Sequence, residues 1–159
     1  MSCKDLKDVD ASTLPIGKLI AIISKGQTIY MNRKLDEFGI NSTQLHLLFE
    51  ISNQDDINQE KIASRCNINK GAVARSIKKL EDKGLVIRQI DSTNRRQNKV
   101  SLTENGKDIL DKSVKMIKEW EDEIFNNDLI KKEDMQNALK EIAVRIMEIN
   151  EREAGNEQK

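Results

Sequence analysis

Residues 58–84 read NQEKIASRCNINKGAVARSIKKLEDKG, and this stretch predicts two helices joined by a tight turn. Asn58 and Asn69 stand where side-chain caps would begin the first and the second helix, and Gly84 stands where a left-handed residue would end the second. The apolar residues of the second helix recur at helical spacing and form one stripe, at Val73, Ile77 and Leu80. The stretch therefore predicts a helix-turn-helix.

Outside that stripe, the second helix carries small residues, cations and its polar cap. These residues are Asn69, Lys70, Gly71, Ala72, Ala74, Arg75, Lys78 and Lys79. Small side chains let a helix approach a surface closely, and the cations suit phosphate groups. This chemistry is typical of a recognition helix in a DNA major groove, and we take the whole set as candidate DNA contacts.

Two β-branched runs follow the second helix, at residues 85–90 and 99–102, with a polar loop between them. The loop carries adjacent arginines and turn-forming residues, which predicts a hairpin with a basic tip. Such a hairpin is a wing that can reach an adjacent minor groove. The candidate DNA contacts in it are Arg88, Arg95, Arg96, Asn98 and Lys99. Helix, turn, helix and wing in this order predict a winged helix-turn-helix.

The hairpin and its flanks resemble the MarR-type (multiple antibiotic resistance) transcription regulators. Their wing signature is Gly-Leu-Val, an arginine, Asp-x-Arg, and after three more residues Val-x-Leu-Thr-x-x-Gly. The matching positions here are Gly84, Leu85, Val86, Arg88, Arg96, Val100, Leu102, Thr103 and Gly106. One position departs from the signature, because Asn94 stands where the family usually has aspartate. Its amide offers only a neutral hydrogen bond for orienting Arg96.

The rest of the chain predicts long helices on both sides of this module. Thr13 is expected to cap a helix that has Pro15 in its first turn and runs to Phe38. A second helix is expected from residues 41–43 to about residue 51. Thr103 is expected to cap a third, and a last helix with nearly heptad spacing of apolar residues completes the chain.

The predicted fold is mainly α with a small antiparallel β wing, a winged helix-turn-helix with long terminal dimerisation helices. Residues 1–52 are expected to form N-terminal helices for dimerisation and support, and residues 53–106 the DNA-binding module. Residues 107–159 are expected to form C-terminal dimerisation helices, with a disordered tail from Ala154. Each terminal helix carries an apolar stripe that needs a partner surface, and a homodimer supplies one. The resemblance implies the same, since the terminal helices form the dimer in MarR-type proteins.

Charge is distributed unevenly along a chain whose formal net charge is zero. Residues 57–106 contain eleven Lys and Arg against five Asp and Glu, a net charge of plus six, and the remainder carries minus six. A positive module on a negative scaffold orients the molecule toward a polyanion, here double-stranded DNA.

The amino-acid composition argues against several other functional classes. His46 is the only histidine, so no metal site is expected, and no cofactor is implied. There is no phosphate-binding glycine loop, and a lone histidine supports no Ser/His/Asp set, so we do not expect an enzyme. With no signal-peptide core and no apolar run of membrane-spanning length, the chain is expected in the cytoplasm, without membrane association.

The leading functional hypothesis is a homodimeric regulator that binds a pseudo-palindromic operator and releases it when a small effector binds. Repression is the expected role, although the same contacts serve activation. The resemblance suggests a small aromatic or lipophilic effector, with Tyr30 and Trp120 as candidate pocket residues. Plain packing in an interface is an equal alternative for both side chains. Two alternatives stay open. One is redox sensing through Cys3, as in MarR-type peroxide sensors, and the other is a helical interaction module whose basic face binds an acidic protein. Cys66 is expected to be a small packing residue.

Overall fold

The computed structural model describes residues 3–54, 56–90, 98–126 and 130–156. They form helices and one small antiparallel sheet, which confirms the predicted fold class. The elements in chain order are α1 (Cys3–Lys7), α2 (Ile16–Leu35), α3 (Ser42–Ser52), β1 (Ile57–Asn58), α4 (Gln59–Cys66), α5 (Lys70–Asp82), β2 (Val86–Ile90), β3 (Asn98–Leu102), α6 (Glu104–Ile124) and α7 (Lys132–Asn156). The chain divides into two compact units, residues 1–115 and 116–159.

Asparagine side chains begin three of the helices. The Asn58 Oδ1 accepts from the Lys61 N–H at 2.8 Å, and the Asn69 Oδ1 accepts from the Gly71 N–H at 2.8 Å. Before α3, Asn41 and Gln44 cap each other's backbone N–H groups reciprocally. These caps follow from local sequence, and the expectations for α4 and α5 are confirmed.

Both ends of the chain differ from the sequence expectation. Helix α2 begins at Ile16, with Pro15 in the cap position, and Thr13 belongs to a separate 3-10 turn (Ala11–Thr13). The Thr13 hydroxyl donates to the Asp10 carbonyl at 2.7 Å, so it does not cap α2. Pro15 offers no side-chain cap, and its carbonyl accepts the first hydrogen bonds of the helix, from the Lys18 and Leu19 N–H groups at 2.9 and 3.3 Å. The ring fixes the φ of Pro15, which is −56° here, at a value compatible with the start of a helix. At the other end, α7 continues to Asn156, past Ala154, where we expected the disordered tail to start.

The sheet of the first unit has the strand order β1-β3-β2, with antiparallel pairing throughout. Val100 in the central strand lies opposite Ile57 on one side and Arg88 on the other. The hairpin was predicted, whereas β1 was not, because two residues give no detectable alternation. The sheet and helices bury one apolar core. Its side chains without measurable exposure include Leu35, Leu47, Leu48, Ile57, Ile62, Val73, Ile77, Leu80 and Val100.

Thr103 closes the base of the hairpin. Its backbone N–H donates to the Leu85 carbonyl at 3.1 Å, and its hydroxyl donates to the Gly84 carbonyl at 2.6 Å. The same hydroxyl accepts from the Gly106 N–H at 3.0 Å, so the predicted cap of α6 is confirmed. Gly84 itself has φ +67°, the left-handed conformation expected where α5 ends. The end of α5, both strands of the hairpin and the start of α6 therefore meet at one point.

The second unit contains the end of α6 and the helix α7. The Lys132 ammonium lies 2.7 Å from a Glu121 carboxylate oxygen, which ties the start of α7 to α6. Several large apolar side chains of α7 remain substantially exposed within the protomer, among them Leu139, Val144, Ile146, Met147 and Ile149. Within the four described ranges, no helix is both long enough and apolar enough to cross a bilayer.

Candidate nucleic-acid interface

Helix α5 has one face in the core and one in solvent. Val73, Ile77 and Leu80 are fully buried, so the orientation of the helix is fixed by packing. The opposite face exposes Lys70, Gly71, Arg75, Lys78 and Lys79. Ala72 and Ala74 are only partly exposed, and they lie between these two faces. The structure thus brings five of the predicted contact residues to one surface, with Asn69 at its start.

Lys70, the first residue of α5, is held by an acid from the preceding helix. Its Nζ lies 2.7 Å from the Glu60 Oε1, and both side chains are more than half exposed. The hydrogen bond from Lys70 lowers the pKa of the Glu60 carboxyl. Lys70 and Glu60 are ten residues apart, and sequence analysis had counted Glu60 only as one of the acids.

The carboxyl end of α5 carries a second acidic group of partners. The Lys78 Nζ lies 2.8 Å from an Asp82 oxygen and 3.7 Å from a Glu81 oxygen. Glu81 also accepts two hydrogen bonds from Arg88 on β2, one of them from Nε at 3.1 Å. The hydrogen bonds from Arg88 lower the pKa of the Glu81 carboxyl. The hydrogen bond to Asp82 raises the pKa of the Lys78 ammonium.

Arg88 therefore occupies a different place from the one that sequence analysis assigned to it. Its side chain is only 25% exposed, and its guanidinium binds Glu81 through two nitrogens. A partly buried, doubly hydrogen-bonded arginine is a structural link between α5 and β2 rather than a cation presented to phosphate. Arg88 matches the family's signature arginine, and in this structure its side chain holds the hairpin on α5.

Arg75 and Lys79 differ from the other cations of α5. Both are exposed, and neither forms an ion pair with any residue in the described ranges. They are four residues apart and therefore lie on the same side of the helix. These two cations are available to an external anion without first breaking an internal pair.

The predicted wing residues lie partly outside the described ranges. Arg95, Arg96 and Asn94 fall within residues 91–97, so their predicted roles stay predictions. Asn98 is exposed at the start of β3, opposite Ile90. Lys99 is half-buried in the central strand, between Asn58 and Gln89, which places its backbone in the sheet rather than at a loop tip.

The cysteines and the histidine form no site in the described residues. Cys66 is half-buried at the end of α4, and burial raises the pKa of its thiol, with a further contribution from Glu50. A raised pKa disfavours the reactive thiolate. The Cys3 side chain lies outside what is described, so the redox alternative keeps its status as a hypothesis. No group of three or more His, Cys, Asp or Glu side chains among the described residues is placed to hold a metal ion.

We expect the Glu81–Arg88 pair to act as one unit in a double-mutant cycle. Glu81→Gln and Arg88→Met should each lower the midpoint of urea unfolding, because each change leaves the other side chain without its partner. The double variant should be destabilised by less than the sum of the two single effects. The folded-state pKa of Glu81 lies below its unfolded value, so this coupling should be present at neutral pH and should disappear as the pH falls through the carboxyl range. Additive effects at pH 7 would contradict the link.

Comparisons with known proteins agree with this architecture. The profile of the MarR family matches residues 40–97, which cover the end of the N-terminal helices and most of the winged module. The HTH-type transcriptional regulator SarZ of Staphylococcus epidermidis is 31% identical over 108 residues, covering 68% of this chain and 70% of that protein. The chain belongs to the MarR family of DNA-binding transcription regulators.

Solved structures extend the likeness over more of the chain. A MarR transcriptional regulator from Methanosarcina mazei shares 34% identity and superposes with a TM-score of 0.76, over 84% of this chain and 97% of that one. The Staphylococcus aureus MepR–DNA complex has a TM-score of 0.73 at 21% identity, over 85% of this chain, and supports the fold alone. The relatives found are transcription regulators, which agrees with the expectation of a non-enzymatic protein.

Proposed function

We propose that this regulator is a homodimer that binds a pseudo-palindromic operator, represses transcription, and releases DNA when a small effector binds. The observation that carries the proposal is the exposed face of α5. Arg75 and Lys79 are exposed there and form no ion pair with any other described residue, on a helix whose other face is fixed in the core by Val73, Ile77 and Leu80. A rigid helix with cations and small residues on its free face suits the major groove.

The hairpin supports a second contact beside the helix. Glu81 and Arg88 link β2 to α5, and Thr103 joins the base of the hairpin to the start of α6. The hairpin is therefore held in a fixed relation to the recognition helix, which a simultaneous contact with two grooves requires. In this proposal Arg96, and Arg95 beside it, enter the minor groove, where the narrow groove concentrates negative potential.

Dimerisation is supported by apolar residues that a lone protomer leaves exposed. In the first unit, Ile16 and Ile23 of α2 are 64% and 62% exposed, and in the second unit Ile146 and Ile149 of α7 are each 48% exposed. Large exposed apolar surfaces of this kind mark protein interfaces. A two-fold dimer would cover them and present two recognition helices, which matches a palindromic site.

An effector site is supported by a cavity in the first unit. It has a volume of about 490 Å³ and lies between the end of α3, the end of β3 and the first turns of α6. Its lining combines apolar and polar side chains, namely Ser52, Ser101, Leu102, Lys107, Leu110 and Asp111. Such a lining suits a small molecule with an apolar body and a polar group. A ligand there would release DNA only if it prefers an arrangement that does not bind DNA.

The test is selection of bound duplexes from a random pool, with the full chain. We expect enrichment of a palindromic sequence whose half-sites are about one helical turn apart. The selected duplex then serves as the probe in a screen of small aromatic acids, where at least one compound should lower its affinity. Enrichment of no sequence would contradict the operator proposal. Preference for an acidic polypeptide over duplex DNA would favour the interaction-module alternative.

A further inference from the structure

The cations of α5 are not equivalent, because acids of the chain hold some of them. Lys70 binds Glu60 at 2.7 Å, and Lys78 binds Asp82 at 2.8 Å. Arg75 and Lys79 have no ion pair within the described ranges. The amino-terminal half of the helix thus offers one cation that is held and one that is available, Lys70 and Arg75.

The position of the Arg75 side chain brings it to the amino end of α5. One of its terminal nitrogens, Nη1, lies 3.5 Å from the point where a Cβ atom on residue 71 would stand. The guanidinium therefore extends back over Gly71, in the direction in which helical side chains lean. That end of a recognition helix is the one that meets base edges.

Arginine and lysine read DNA differently. The planar guanidinium presents two parallel N–H donors that match the O6 and N7 acceptors of guanine, whereas an ammonium is a flexible point charge suited to phosphate. A second free ammonium at residue 70, one turn from the guanidinium, would add phosphate contacts that are independent of sequence. The Lys70 ammonium that would make these phosphate contacts is bound to the Glu60 carboxylate.

We propose that Arg75 reads a guanine in each half-site and that Glu60 is a positioning residue, which holds Lys70 so that Arg75 alone supplies the cation at this end of the helix. The inference rests on the proposed operator binding and adds the identity of the base and a role for an acid. Glu60 thereby suppresses binding to unrelated duplex and leaves sequence discrimination to the guanidinium.

The first experiment tests Arg75 with the duplex enriched from the random pool. Replacing one guanine by 7-deazaguanine removes the N7 acceptor from the major groove, and inosine is the control because it changes only the minor-groove edge. At one guanine of each half-site, we expect the guanine-to-adenine change to lower wild-type affinity about tenfold to a hundredfold. The 7-deazaguanine duplex should lose affinity in the same direction, and the inosine duplex should not.

Two matched variants separate the recognition of guanine from the effect of positive charge on affinity. Arg75→Lys keeps the charge but loses the paired donors, so guanine preference should disappear while the dependence on salt stays nearly unchanged. Lys79→Ala, on the same side of the helix, should keep guanine preference and lower the salt slope by about 0.9 for each protomer that contacts the duplex. Full guanine preference in Arg75→Lys would overturn the assignment of Arg75.

Glu60→Gln tests the positioning role. Freed from Glu60, Lys70 should bind phosphate in non-specific complexes. Affinity for random-sequence duplex should then rise about fivefold, and the salt slope should steepen by about 0.9 for each protomer that contacts the duplex. Affinity for the selected duplex should rise less, since the amino end of α5 then faces bases. The ratio of the two affinities should fall.

A Lys70→Met background identifies the route of this effect. If Glu60 acts through Lys70, Glu60→Gln should change nothing in that background, whereas simple repulsion between Glu60 and phosphate predicts the same rise as in wild type. An equal rise would overturn the positioning role. Wild-type binding without guanine preference would contradict this inference alone, and absence of duplex binding would contradict the proposed function as well.

Discussion

Gly106→Ala should destabilise the protein by about 3 kcal/mol, the largest stability effect that we expect from a single methyl group. A Cβ at this position would stand 2.0 Å from the Leu85 carbonyl oxygen, which is backbone and accepts from the Thr103 N–H. The added Cβ and the Leu85 carbonyl oxygen are both held in place by the backbone. Helix α6 or the hairpin would therefore have to shift to relieve the clash. Urea unfolding of the two proteins measures the difference.

The control is the same substitution in open surroundings. Gly26 lies inside α2, and a Cβ there would meet no atom within 4 Å. Gly26→Ala should therefore leave stability unchanged or raise it by about 0.5–1 kcal/mol, because alanine restricts the unfolded chain more than glycine. Similar stabilities of Gly106→Ala and wild type would show that α6 does not approach the Leu85 carbonyl as closely as described.

Ile146→Glu should have the largest effect on assembly. Ile146 is 48% exposed in the protomer. It lies on the apolar stripe of α7 that recurs at helical spacing and consists of Met135, Leu139, Ile142, Ile146 and Ile149. In a two-fold interface each protomer would bury a new carboxylate without a partner, so the monomer–dimer dissociation constant should rise at least about a hundredfold. Operator affinity should fall with it, since a monomer presents only one recognition helix. Sedimentation at micromolar concentration and anisotropy titration measure the two effects.

Val144 supplies a matched control on the same helix. It is 42% exposed, and it lies two residues from Ile146, which places it about 160° away around the helix. Val144→Glu should therefore leave both dimerisation and operator affinity close to wild type. Equal dissociation by the two variants would contradict an interface along the stripe that contains Ile146, and a wild-type monomer at micromolar concentration would contradict the dimer altogether.

Sequence reasoning succeeded where structure depends on neighbours in the chain. The caps at Asn58, Asn69 and Thr103 and the left-handed Gly84 are all determined within a few residues, and each is confirmed. The start of α2 was wrong for an equally local reason, because Pro15 can begin a helix and left Thr13 to the preceding turn.

The arrangement of charges could be predicted only in part. The pair Lys78–Asp82 follows from spacing at i and i+4, and that signal was available. The pairs Lys70–Glu60 and Arg88–Glu81 join different elements, so they depend on how those elements pack. The sequence pattern therefore predicts a basic surface whose cations are equivalent, whereas in the structure some of them are paired with acids, and Arg88 links β2 to Glu81 of α5.

The closed base of the hairpin has an evolutionary consequence. Because Thr103 binds both Gly84 and Leu85, the chain leaves the helical body and rejoins it at almost the same place. Insertions, deletions or exchanges between β2 and β3 can therefore accumulate without displacing α5 or α6, provided that the inward side chains Val86 and Val100 are kept. Under the proposed operator binding, descendants of one ancestral regulator can change their choice of flanking bases while they keep the same central bases, so the flanking and the central positions of an operator can evolve at different rates.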